Sequence, residues 1–258
     1  MKTLKIVVTT LVLAGVMLAG VNSLAYASAS QSNVVAGRGV GGFGNGGYGT
    51  AGDPVTGCDG TCTYATTVDA TPLSQSEQDA LIYMVEEEKL ARDVYNFLAT
   101  QWSLPLFGNI AQSEQTHMDS VLVLLDRYGL TSPVSASAGV FSNSNLQALY
   151  TSLTQKGSQS LADALLVGGA IEELDIADLQ VRLASVTHLD VQQVFNNLML
   201  GSYNHLQAFA NTYQAETGSV YTPQTLSPEA FQTAIETTSG MYGSAARGGM
   251  GRGGYGMR

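Results

Sequence analysis

Glycine is concentrated toward the two ends of this chain, and that distribution confines any folded core to the middle. Of 29 glycines, eleven lie between Gly37 and Gly60 and eight between Gly240 and Gly256. Residues 28–72 are also rich in Ser, Thr and Asn, with too few apolar side chains to offset the entropy of ordering, which is the composition of a flexible linker. The end of the chain repeats the pattern, with Arg247, Arg252 and Arg258 set among glycines. A core domain is therefore expected over residues 73–218, followed by a short helix and a glycine-rich tail over 219–258. That length suffices for one well-buried core.

The first 27 residues have the layout of a signal peptide. Lys2 and Lys5 precede an uncharged, mostly apolar run from Ile6 to Val21, and Ala25-Tyr26-Ala27 offers small residues for cleavage. The run is short of the roughly 20 residues needed to span a bilayer. The expected product is secreted or periplasmic, with no stable membrane insertion after cleavage. In that oxidising setting Cys58 and Cys62 are expected to form a small disulfide within the linker. A formal net charge of -10 argues against nucleic acid as a partner, because phosphate neutralisation needs clustered Lys and Arg.

From Leu73 the pattern becomes helical. Ser74-x-x-Glu77 has capping-box spacing, and the run to Trp102 lacks Gly and Pro, with Leu81, Val85, Ala91, Tyr95 and Leu98 at helical intervals. Leu104-Pro105 breaks it. A second helix is expected from Leu106 to Tyr128, ending at Gly129, and so brief a connection makes the two antiparallel neighbours. A long connection over 130–157 contains a short helix from Asn145 to Gln155. A third core helix follows from Ser160 to Ser185, and a fourth from beyond Asp190 to Glu216. Ser227-Pro228-Glu229 starts a last short helix, Pro228 to Thr237. The expected fold is all-α: two helical hairpins joined by a long crossover, an antiparallel four-helix bundle.

Several polar residues fall on the apolar stripes of these helices. Glu88 lies on the inward line of the first, whereas Glu86 and Glu87 are expected to be solvated. On the second, Glu114 and His117 are three residues apart and share a face. On the third the inward line passes Leu165, Gly168, Glu172 and Asp175, leaving Glu173 and Asp178 to a solvated face. On the fourth it passes Leu198, Ser202, His205 and Phe209. Buried charge is severely penalised unless paired or ligated, and carboxylates combined with imidazoles suit iron, manganese or zinc. The halves repeat: Glu88 to His117 is 29 residues and Glu172 to His205 is 33, a Glu from the first helix of each hairpin and a His from its second.

This arrangement resembles the ferritin-like superfamily, in which two helices give one Glu each and two give a Glu-x-x-His. Glu88-Lys89-Leu90-Ala91-Arg92-Asp93-Val94-Tyr95 is similar to the first metal helix of rubrerythrins. Together with Glu172-Glu173-Leu174-Asp175-Ile176-Ala177-Asp178-Leu179 and Gly201-Ser202-Tyr203-Asn204-His205-Leu206, it resembles a prokaryotic branch known as the domain-of-unknown-function 2202 family. The resemblance covers residues 73 to 216. It implies a ferritin-like bundle binding one or two iron or manganese ions through Glu88, Glu114, His117, Glu172 and His205. Ser202 departs from the pattern, standing where a bridging carboxylate is expected. Asp175, one turn from Glu172, is the candidate replacement.

Each residue also has a plainer reading. Glu88 could pair with Arg182 or Arg127, Glu114 with His117 alone, and His205 could be a satisfied core histidine. His188 reads as a surface or capping residue. The function implied is an exported metal-binding protein, an oxidoreductase of ferroxidase or peroxidase type if reactive, and a homodimer is compatible with it. The alternative is a non-catalytic helical binding or cell-surface module with a vestigial metal site. Tyr95 and Tyr203 are candidate hydrogen-bond or electron donors, and Asp119, Asp175 and Asp178 candidate partners for the histidines.

Overall fold

The computed structural model describes residues 71–245, with side chains to 238. The expected signal peptide, the Cys58–Cys62 pair, nearly all of the linker and the end of the tail lie outside the described residues. Those residues form six helices and no strand: α1 (Gln75–Gln101), α2 (Pro105–Arg127), α3 (Ser144–Gly157), α4 (Leu161–Leu183), α5 (Leu189–Thr217) and α6 (Pro228–Ala245). None of them is long and apolar enough to cross a membrane.

Local sequence accounts for most of the boundaries. Ser74 caps α1 in a reciprocal box with Glu77. Pro105 opens α2, where its missing N–H costs nothing. The side chain of Asn143 accepts from the backbone of Asn145 and Leu146 to start α3, and Ser160 caps α4 through Asp163. Gly218 ends α5 at φ 73°, a left-handed conformation that favours glycine.

The helices pair α1 with α2 and α4 with α5, and the pairs meet through α2 against α5 and α1 against α4. Helix α3 of the crossover packs on α1 and α4, and α6 packs on α5. Two apolar clusters occupy opposite ends of the bundle. One gathers Leu90, Val94, Leu98, Phe107, Ile110, Leu165 and Phe209. The other gathers Leu81, Met84, Val85, Val121, Leu124, Leu179, Phe195 and Leu198. Each buried Leu or Phe contributes about 1.5–3 kcal/mol, so these ends hold the fold. Between them, each core helix places one or two buried acidic, histidine or serine side chains: Glu88, Glu114 with His117, Glu172 with Asp175, and Ser202 with His205.

Three expectations are corrected. Glu86 and Glu87 are buried rather than solvated, because the crossover and α4 cover further sides of α1. Glu86 accepts from the backbone N–H groups of Ser142 (2.6 Å) and Asn143 (2.9 Å), a carboxylate placed at the start of α3 where the helix dipole favours it. Glu173 is fully buried: Tyr221 donates its hydroxyl to it, and so do the N–H groups of Gln224, Thr225 and Leu226. Third, the packed region continues past 218. Tyr221 and Ala234 are buried with Ile176 and Leu206, and α6 runs beyond Thr237.

Candidate metal centre

The polar layer is assembled from four helices. Glu88 comes from α1, Glu114 and His117 from α2, Glu172 and Asp175 from α4, Ser202 and His205 from α5, and all are buried. Glu114 stands between the histidines. Its Oε2 is 2.8 Å from Nδ1 of His117, and its Oε1 is 2.7 Å from Nδ1 of His205. Behind each imidazole is one more carboxylate: Glu88 Oε2 lies 3.4 Å from His117 Nδ1, and Glu172 Oε2 lies 3.4 Å from His205 Nδ1. The two imidazoles are stacked with centroids 5.5 Å apart. Thus two ligand sets, Glu88–Glu114–His117 and Glu114–Glu172–His205, share Glu114, and within each the donor atoms lie within 4.8 Å of one another.

The hydrogen bonds decide what this geometry is for. His205 Nδ1 and Glu114 Oε1 are close, yet neither has a hydrogen-bond partner. Nε2 of His205 is satisfied instead by Ser113 Oγ at 3.0 Å. When Nε2 donates to that hydroxyl, Nδ1 is left as a lone-pair donor, the state a metal-bound histidine needs. Two donors each about 2.0–2.2 Å from one ion at near-right angles stand about 3 Å apart, close to the spacing seen. Glu88 Oε1 and Asp175 Oδ1 are also buried without partners. A buried polar atom left so costs about 1–3 kcal/mol, more when charged. A cation would remove that cost at all of them together.

Electrostatics leads to the same place. Burial pushes Glu88 well above the usual carboxylate range, reinforced by Asp175, and burial with Glu114 raises Glu172. Burial also raises Asp175 to about 7, against the hydrogen bond from Ser202. Glu114 goes the other way: burial opposes its ionisation, but the two imidazoles outweigh it. Burial would lower both histidines, yet the carboxylates raise them, His205 to about 10. Without a cation the cluster is held by protons that a metal would displace.

The supporting residues are partly unexpected. Tyr95 donates its hydroxyl to Glu172 at 2.5 Å, as its place on the stripe suggested. Tyr203 does not reach the centre; it packs with Ile176 and Leu206 toward α6. Ser202 donates its hydroxyl to Asp175 Oδ2, while Asp175 Oδ1 has no hydrogen-bond partner. Asp175 itself is in neither ligand set. Asp119 is exposed and occupied by Gln115. Gly201 was missed: a Cβ there would lie 2.5 Å from His117 Nε2, so the imidazole has its space only because this residue is glycine. Ser113 lies off the inward line, and no periodicity flags it. His188, expected as a surface or capping residue, is the N-cap position of α5, but it is buried, with Nδ1 2.8 Å from Glu77. No ion pair joins Glu88 to an arginine among the described residues: Arg127 pairs with Asp190, and Arg182 lies over the Tyr83 ring.

Residues 77–238 match the family described as Uncharacterized protein domain (DUF2202). The uncharacterized protein MJ0754 of Methanocaldococcus jannaschii is 47% identical over 180 residues, covering 68% of this chain and 95% of that protein. The crystal structure of hypothetical protein MJ0754 aligns at a TM-score of 0.64 over 66% of this chain and 98% of that one.

Proposed function

The chain belongs to the DUF2202 family, and we propose that it is an exported ferritin-like protein that binds two divalent iron or manganese ions in its buried centre. The observation that carries this reading is Glu114: each of its oxygens faces a different histidine nitrogen, and one of these contacts is not a hydrogen bond. In this reading Glu88 and His117 would hold one ion and Glu172 and His205 the other, with Glu114 common to both sets. Asp175, held by Ser202, would add a buried carboxylate to the same layer. The order Glu, Glu-x-x-His, Glu, Ser-x-x-His along the four helices supports the ferritin-like assignment. Oxygen and nitrogen donors favour iron or manganese over softer metals.

Such an ion pair would supply one-electron couples suited to ferrous oxidation or peroxide reduction. The chain's own part is to hold charge and exclude water. The apolar clusters close both ends of the layer. Tyr95 holds Glu172 in place through its hydroxyl, and Ser113 would accept from Nε2 of a metal-bound His205. The test is metal content after anaerobic loading with ferrous iron or manganese(II), followed by oxygen or peroxide consumption. Two ions per chain are expected. A chain that retains none after desalting is instead a helical binding module whose cluster is held by protons.

A further inference from the structure

We propose that the seam between α1 and α4 is the route by which divalent cations reach the buried centre, with Glu87 and Asp178 as carboxylate stations and Arg182, stacked on Tyr83, covering the mouth. The inference rests on the metal-centre reading above and adds an access path to it. Tyr83 and Glu87 are one turn apart on α1, and Asp175, Asp178 and Arg182 occupy successive turns of α4, which packs against it. Exposure rises along this line: Glu88, Asp175 and Glu87 are buried, while Asp178, Tyr83 and Arg182 are half-buried. On α1 Glu87 follows Tyr83 by one turn and immediately precedes Glu88, so it stands between the ring and the centre along the helix.

Two orphaned atoms set this seam apart from ordinary packing. Glu87 is only 5% exposed, and its Oε2 has no hydrogen-bond partner. Arg182 Nε is likewise buried without one, its guanidinium carbon 3.9 Å from the centroid of the Tyr83 ring. A guanidinium held over a ring is a weak contact. A buried ion pair is far harder to break, so this cover moves easily. The neighbouring charges on α1 behave differently. Glu86 binds the start of α3, and Asp93 is held by Lys89 at 2.5 Å and by the N–H of Gly139 at 2.9 Å. Those carboxylates are occupied by the fold; that of Glu87 is not. Other approaches are less suitable. The ends of the layer are apolar, and the α2–α5 side presents imidazoles, with His117 pressed against Gly201. A carboxylate-lined passage concentrates cations and raises their rate of entry.

The test is stopped-flow mixing of the metal-free full chain with cobalt(II), whose visible absorption reports nitrogen and oxygen coordination, alongside equilibrium dialysis. Glu87→Gln and Asp178→Asn are each expected to slow association about tenfold, with bound cobalt at equilibrium still at the wild-type level. Arg182→Gln is expected to speed it several-fold. Wild-type rates in all three variants overturn the route. So does a Glu87→Gln protein that binds less cobalt at equilibrium with an unchanged association rate, since Glu87 is then a ligand. A wild-type chain that takes up no cobalt fails the metal-centre reading itself, and the route with it. If Glu87→Gln does not fold, the half-buried Asp178 and Arg182 variants still decide.

Discussion

Two buried glutamate–histidine clusters stand in the same bundle, and they differ in one respect. Glu77 faces His188 at 2.8 Å, as Glu114 faces His117. Yet Glu77 Oε1 also accepts from the N–H and hydroxyl of Thr187 and from the N–H of His188, and its Oε2 from the N–H and hydroxyl of Ser74. Both its oxygens are occupied by hydrogens of the fold. Around Glu114 no backbone N–H approaches; its neighbours are imidazoles and other carboxylates, with orphaned oxygens among them. The chemistry of the pair does not distinguish structure from site. What distinguishes them is whether donors of the fold fill the acceptors. Glu86, Asp93 and Glu173 fall with Glu77; Glu88, Glu114 and Asp175 form the other class.

The comparison can be broken most severely at Glu173, which belongs to the filled class. Ending the chain after Gly218 removes all of its donors from Tyr221 to Leu226, and with them the packing of Tyr221 and Ala234 on α4 and α5. The loss of two or more buried side chains sets the expected destabilisation at about 3 kcal/mol or more, read by urea unfolding. An unchanged midpoint would show that α6 is an accessory. At the centre, His117→Ala and His205→Ala are each expected to weaken manganese(II) binding by at least about 100-fold, or about 2.7 kcal/mol. His188→Ala should leave affinity alone and cost about 1–3 kcal/mol of stability instead, by stripping a donor from buried Glu77. Calorimetric titration of the three variants separates the classes, and equal losses of affinity would merge them.

The sequence carried more of the centre than of its surroundings. Helical periodicity, the caps at Ser74 and Ser160, the break at Pro105 and the stop at Gly218 are local signals, and the helices follow them to within a few residues. Glu88, Glu114, His117, Glu172 and His205 were legible because each stands on an apolar line, where a charge is out of place. The same reasoning failed for Glu86, Glu87 and Glu173. A stripe rule assumes one buried face per helix, while α1 is covered by α2, α3 and α4 and α4 by α1, α3 and α5. His188 does sit at the cap of α5, but its burial was not legible because its partner, Glu77, is distant in sequence. Nor does any spacing rule report that a ring needs the empty side of Gly201.

Acidity should separate the two clusters in opposite directions. The Glu77 carboxyl is held well below its usual range: burial opposes this, but His188 and the donors around it outweigh burial. Its contribution is present above the unfolded value of about 4.5 and is lost as pH falls. His205 and Asp175 have raised values, about 10 and about 7. The folded state then holds protons the unfolded chain has released, so their contributions are lost as pH rises, between about 4 and 7 for Asp175 and about 6.5 and 10 for His205. With chelator present, the melting temperature should fall from pH 5 to pH 8. Bound manganese should flatten or reverse that slope, since the ion takes the place of the protons. Identical slopes with and without manganese would mean that no metal enters this layer.

The smallest effect belongs to the hydroxyl that meets a histidine of the open cluster. Ser113 Oγ lies 3.0 Å from His205 Nε2, and when Nε2 donates there Nδ1 keeps its lone pair. In Ser113→Ala the ring loses its reason to prefer one tautomer, and Nε2 competes for the proton with a nitrogen facing Glu114 at 2.7 Å. Outer partners of metal-bound histidines are typically worth 10–100-fold in affinity. The lower end, about tenfold, is expected here because Ser113 is half-buried and water can take its place. Ser113→Thr, which keeps the hydroxyl, should restore binding. The loss should also be confined to the half of the centre held by Glu172 and His205, so a two-site titration should show one affinity shifted and the other unmoved. Equal shifts at both sites would mean that Ser113 supports the packing of α2 rather than the tautomer of one ring.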